Sequence, residues 1–162
     1  MIARMVGALL MISLSACMHQ QRSPIAIEPW YPTTNENGDP VAGVFEGRVP
    51  CIEPGFVNCE KIKVALALYR DRRSGALTTY RLARVYVATR PEGSLLIATG
   101  AAMTARGTKL DPNATVIRLD EKAPEAFRAY WVVDENILFL LNQDFGPKVG
   151  TASWSYVLNR TR

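Results

Sequence analysis

The sequence predicts an all-β fold, a small antiparallel up-and-down barrel of about eight strands. Three observations predict it. From Val41 onward, apolar and polar residues alternate with period two in one short segment after another. Turn residues separate those segments at short intervals. No amphipathic stretch of helical period reaches ten residues. Val44–Val49 opens the series. Ile62, Val64, Leu66 and Leu68 then alternate with Lys63, Ala65, Ala67 and Tyr69. In Tyr80–Ala88, Tyr80 and Leu82 share one phase while Val85 and Val87 take the other, which predicts a bulge near Ala83-Arg84. Leu95–Met103 follows. Thr115, Ile117 and Leu119 form the next alternating set, then Phe127, Ala129, Trp131 and Val133, then Ile137–Leu141, and last Ala152, Trp154, Tyr156 and Leu158. The connections are Asp71-Arg72-Arg73-Ser74-Gly75, Arg90-Pro91-Glu92-Gly93, Asp111-Pro112-Asn113, Lys122-Ala123-Pro124, Asp134-Glu135-Asn136 and Phe145-Gly146-Pro147. Closing such a meander removes its exposed edges, and a two-sheet sandwich is the rival arrangement.

Composition narrows the function. The chain has 162 residues, 48% hydrophobic and 21% charged, with a formal charge of +4. That is one domain with a core, and a mild charge without a basic run does not point to nucleic acid. Its one histidine, His19, lies ahead of the alternating region. Histidine-dependent acid–base or nucleophilic chemistry therefore has no carrier in the domain. No H-E-x-x-H, Walker A or G-x-G-x-x-G motif occurs. Glu46, Glu53, Glu60, Asp120, Glu121 and Glu125 are scattered over turns and outward faces and read as solvated surface. Phe127, Trp131, Trp154 and Tyr156 read as core, with a ligand held in the barrel mouth as the alternative. Arg70, Arg72 and Arg73 flank a hairpin tip and form a small basic knob, read as a solvated tip, with anionic lipid or an acidic partner as the alternative contact.

The first residues are a targeting signal. Arg4 gives a positive start, and Val6–Leu14 is an apolar run too short to span a bilayer. Leu14-Ser15-Ala16-Cys17 resembles a bacterial lipobox. That resemblance implies a signal peptide over residues 1–16, cleavage before Cys17 and lipidation of Cys17, which anchors the chain to a membrane. Met18 in the following position, where Asp would retain a lipoprotein in the inner membrane, implies the outer membrane. Residues 17–40 read as the lipidated cysteine and a tether, rich in Pro, Gln, Ser, Thr and Asn and spanning roughly 25 Å if flexible. Trp30 and Tyr31 interrupt it and are expected to dock on the domain, which occupies residues 41–162, with a place at the membrane interface as the alternative.

Cys51 and Cys59 remain once Cys17 is lipidated. An even pair in an oxidising periplasm predicts a disulfide, contributing roughly 2–3 kcal/mol. The alternative use is copper: a thiolate pair suits Cu(I), with Met103 as the only methionine of the domain and Met18-His19 beside the lipid anchor.

The stretch Gly43-Val44-Phe45-Glu46-Gly47-Arg48-Val49-Pro50-Cys51, followed by Cys59-Glu60-Lys61-Ile62 and an alternating strand, resembles the N-terminal domain of the NlpE family of copper-resistance lipoproteins. The family has C-x-x-C where this chain has seven residues between the cysteines, and the glycine that follows the family's second cysteine is replaced by Glu60-Lys61 before Ile62. The resemblance implies a lipocalin-like or calycin-like barrel facing the periplasm. It further implies a non-catalytic role in envelope-stress or surface sensing, extending to copper tolerance, with a periplasmic sensor or another envelope protein as partner. Two other readings stand beside it. One is a lysozyme-inhibitor lipoprotein, inserting Arg70–Ala76 or Asp144–Gly150 into its target. The other is a carrier of a small apolar ligand.

Overall fold

The computed structural model describes residues 30–162 apart from 54, 57 and 89–94. The expected signal segment, the lipobox-like Leu14-Ser15-Ala16-Cys17, Met18, His19 and the expected turn Arg90-Pro91-Glu92-Gly93 lie outside the described residues. Eight strands follow one another: β1 (Val41–Val49), β2 (Lys61–Arg70), β3 (Leu77–Val87), β4 (Leu95–Arg106), β5 (Thr115–Leu119), β6 (Ala129–Val132), β7 (Ile137–Leu140) and β8 (Val157–Arg160). Each pairs antiparallel with the next, and β1 pairs with β8, so the sheet closes into an up-and-down barrel. Pro40 and Pro50 bound β1, since neither can donate to a ladder.

The alternation in β2 sets the inside. Ile62, Val64, Leu66 and Leu68 point into the core, and across the ladder they face Tyr86, Arg84, Leu82 and Tyr80 of β3. The register runs unbroken from Tyr80 to Val87, so the bulge expected at Ala83-Arg84 is absent. Arg84 holds the inward place that an apolar residue was expected to hold, and Val85 and Val87 point outward. The register shift in this pair falls instead between Leu68 and Arg70. On the inside, Ile117, Leu119, Tyr130, Leu138, Leu140 and Leu158 complete the core. Each such side chain taken fully out of water stabilises the fold by about 1.5–3 kcal/mol.

Two expectations shift in the second half. A short 3-10 helix, Glu125–Phe127, carries Phe127 into the core and resets the phase before β6. Tyr130 is therefore the buried residue of that strand, while Trp131 is half-exposed on the outer face beside Phe139. The last strand also begins later than Ala152. Thr151 and Trp154 close a tight turn, and the chain joins the barrel only from Val157, with Leu158 in the expected inward phase.

Residues 30–40 lie against the barrel. Tyr31 packs on Val44, Ala67 and Tyr69, and Trp30 joins that outer cluster while its carbonyl accepts from Arg81 Nε at 2.9 Å. Asn35 turns the chain back, its side-chain oxygen accepting from the backbone N–H groups of Asn37 and Asp39 and its amide donating to Asp39 and Thr79. The expected docking of Trp30 and Tyr31 is thus observed.

Candidate functional site

Chemistry concentrates at the barrel end covered by the Cys51–Cys59 loop. The two cysteines are joined as a disulfide across a Cα–Cα distance of 6.0 Å. This follows from the strands they end: β1 stops at Pro50, β2 starts at Lys61, and Val49 pairs with Ile62 just inside. Cys51, Ile52, Phe56 and Cys59 pack down on the core, so the loop is a plug. Phe56 stacks on Tyr86 with ring centroids 3.6 Å apart.

Beneath the plug sits Arg84, only 6% exposed. Its Nη1 donates to both carboxylate oxygens of Glu53, each at 2.6 Å, and to Tyr86 Oη at 3.1 Å. The guanidinium lies 5.8 Å from the centroid of the Phe127 ring. A buried guanidinium is costly unless paired, so Glu53 is held by necessity and latches the loop from inside. Two donors nearby lack hydrogen-bond partners among the described residues: Arg84 Nε and the hydroxyl of Tyr130. Burial pushes the Tyr130 phenol well above its usual range, against a smaller opposing pull from Arg84. Tyr80 is raised too, first by burial and then by its hydrogen bond to Asp120 at 3.1 Å. These phenols stay protonated at neutral pH, so they enter the cluster as hydrogen-bonding groups.

Two carboxylates expected on the surface are thus interior or committed. Glu53 is spent on Arg84. Asp120 caps the end of β5, accepting from Tyr80 Oη, from the backbone N–H of Ala101 at 2.8 Å and from that of Lys122 at 3.2 Å. Glu46, Glu60, Glu121 and Glu125 are exposed as expected, with Glu60 beside Lys61 at 2.8 Å. While joined to each other, the sulfurs of Cys51 and Cys59 offer copper no thiolate. Met103 lies on the outside of β4, and among the described residues no group of three His, Cys, Asp or Glu is placed to hold a metal.

The opposite end is an open mouth of about 370 Å³. Phe45, Leu68, Ile117, Val132 and Leu138 form its floor; Arg70, Asp134, Glu135 and Arg160 stand on its rim. Arg160 donates to the carbonyls of Ala42, Glu135 and Arg162 at 2.7, 3.1 and 3.0 Å, and so ties β8 to β1 across the seam. Near this mouth, the hairpin tip is stiffened by Asp71, whose Oδ1 accepts from the Ser74 N–H at 2.7 Å, the Ser74 hydroxyl at 2.8 Å and the Arg73 N–H at 3.1 Å. Those bonds, Ser74's first, hold the Asp71 carboxyl below its usual range. Arg72 and Arg73 are exposed there. In the loop Asp144–Gly150, Asp144 pairs with Lys109 at 2.7 Å, which lowers the carboxyl and raises the amine.

Arg84 is the site residue that sequence reasoning missed. Its signal was present: Tyr80, Leu82, Arg84 and Tyr86 keep strict spacing of two, and a charged residue inside an unbroken alternation marks an interior charge. No family model, no curated protein and no solved structure matches the chain.

Proposed function

We propose that this chain is a non-catalytic lipoprotein of the NlpE copper-resistance type. Cys17 anchors it in the outer membrane, the barrel faces the periplasm, and its role lies in envelope-stress or surface sensing and copper tolerance, through a periplasmic sensor or another envelope protein. The observation that carries this reading is the covalent plug. Strand β1 runs into Pro50-Cys51, a disulfide returns to Cys59, and β2 follows, the segment on which the resemblance rests. A bridged pair on a small barrel suits an oxidising compartment. Apart from the Arg84–Glu53 pair the barrel interior is mainly apolar, with Lys63, Arg81 and Arg118 among its outward residues, the reverse of a membrane-spanning barrel. The test is deletion of the gene, with an envelope-stress reporter and growth in copper as readouts, complemented by the wild-type chain and by Cys17→Ala. Unchanged signalling and unchanged copper tolerance in the deletion strain sink the reading.

Lysozyme inhibition is a second reading, favoured by one observation: a hairpin tip fixed by Asp71 that presents Arg72 and Arg73 to solvent. Absence of inhibition of c-type lysozyme at micromolar protein removes it. The apolar-carrier reading has less support, because Tyr80, Tyr86, Phe127 and Tyr130 fill the interior.

A further inference from the structure

The first half of β4 is an open edge. Leu95–Ala101 pairs with β3 along one side, but β5 reaches only Ala102–Arg106 on the other. At Ala101 the neighbouring strand is already ending: its N–H is taken by the Asp120 carboxylate and its carbonyl by the Asp120 N–H at 3.0 Å. Strand alternation aims the backbone groups of Leu95, Ile97 and Thr99 to the same side as those of Ala101. Among the described residues nothing accepts or donates to them there.

Exposed apolar side chains mark the same stretch. Leu95 is 54% exposed, Leu96 38% and Ile97 43%. The run Leu95-Leu96-Ile97-Ala98-Thr99-Gly100-Ala101 has no charge and no proline. The devices that usually blunt an edge strand are missing from this edge.

We propose that this edge is a homodimer interface, in which β4 pairs antiparallel with β4 of a second copy about a two-fold axis at Ile97. That register puts Leu95 opposite the second copy's Thr99, Leu96 opposite its Ala98, and Ile97 opposite itself. The free N–H and C=O groups of Leu95, Ile97 and Thr99 then meet those of Thr99, Ile97 and Leu95. Large side chains face small ones, and the uncharged run spares the two-fold the like-charge contacts that symmetry otherwise imposes. Five residues per copy, three of them exchanging backbone hydrogen bonds, make a small interface, below about 1,200 Å², so the association is weak in solution, on the order of 10–100 µM. The proposal does not depend on the lipoprotein reading. An anchor that confines copies to one surface would raise their effective concentration and populate the dimer further.

The test uses the full-length chain. Sedimentation of the purified protein is expected to show a dimer growing with concentration, and Ile97→Lys to weaken it by at least about tenfold. Met103→Lys, on the same face where β4 is already paired with β5, is the control and leaves the dimer intact. In native membranes, Ile97→Cys is expected to join to itself through a short bis-maleimide, and Met103→Cys is not. Folding of each variant is checked by circular dichroism and by an intact Cys51–Cys59 bridge. A protein that stays monomeric and an Ile97→Cys that joins nothing overturn the proposal. So does an Ile97→Cys that joins only a different protein, since the edge then has another occupant.

Discussion

At the scale of single residues, the energetics of the plug turn on one asymmetry. Arg84 lies in the barrel wall and cannot leave it, whereas Glu53 lies on a loop and can turn to water. Removing Glu53 strands a buried positive charge; removing Arg84 strands nothing. Glu53→Ala is therefore expected to cost about 3–5 kcal/mol, while Arg84→Met, which keeps volume, costs under about 1.5 kcal/mol. Urea unfolding of both checks this, and equal losses would show that the pair is not the latch described. Tyr130 gives a second residue-level prediction. Among the described residues its hydroxyl is buried without a hydrogen-bond partner, so Tyr130→Phe removes a desolvation cost and is expected to stabilise the barrel by about 1 kcal/mol. The same change acts at high pH. In the folded chain the Tyr130 pKa lies above the unfolded value of 10.0. Above that value the unfolded chain releases a proton that the folded chain keeps. Stability then falls by about 1.4 kcal/mol per pH unit for this tyrosine. The phenylalanine variant should show a shallower alkaline loss between pH 10 and 12; an unchanged slope would place the titration elsewhere.

Among elements, the strands that sequence reasoning located best are those whose inside is uniformly apolar. Ile62, Val64, Leu66 and Leu68 alternate without exception, and β2 runs over them as expected. Where an interior position carries charge, period two is misread: Arg84 made an unbroken β3 look bulged. Where a short 3-10 turn shifts the phase, as Glu125–Phe127 does ahead of β6, the wrong aromatic is assigned to the core. The plug was legible as a cysteine pair, but Glu53 and Phe56 were not, because their partners Arg84 and Tyr86 lie a strand away. Those contacts predict how the loop behaves on reduction. Cys51 and Cys59 close a short loop, so the paired Cys51→Ser, Cys59→Ser variant is expected to lose roughly 2–3 kcal/mol. The Glu53–Arg84 and Phe56–Tyr86 contacts remain, so the loosening stays local. Amide exchange should quicken most at Val49 and Ile62, beyond the smaller common increase that the lower global stability gives Ile117 and Leu138 in the far end of the core. Uniform quickening across the barrel would show that the bridge holds the whole fold and not one end of it.

For the whole molecule, the decisive step is closure, and its seam is narrow. Strands β1 and β8 share only the pairs Phe45↔Arg160 and Glu46↔Asn159. Beyond them, Val44 N–H donates to the Arg162 carbonyl at 3.0 Å and Thr161 N–H to the Val44 carbonyl at 2.8 Å. Gly47 stands where the two strands come closest. A Cβ there would overlap the Val157 carbonyl and lie 2.7 Å from a Leu158 methyl, so β8 would have to move. This gives a physical reason for the second glycine of the Gly43-x-Phe45-x-Gly47 pattern in the opening strand, a reason that belongs to a contact more than a hundred residues away and is invisible locally. Gly47→Ala is expected to cost about 1–3 kcal/mol by overpacking and to raise amide exchange at Val44 and Thr161, on both sides of the seam. Gly38→Ala provides the contrast. Its φ is +80° but the space around it is open, so it pays backbone strain alone and leaves the seam protected. If Gly47→Ala leaves exchange at Val44 and Thr161 as in the wild type, while β4 and β5 change, the weak point of closure lies at the β4 edge and not at β1–β8.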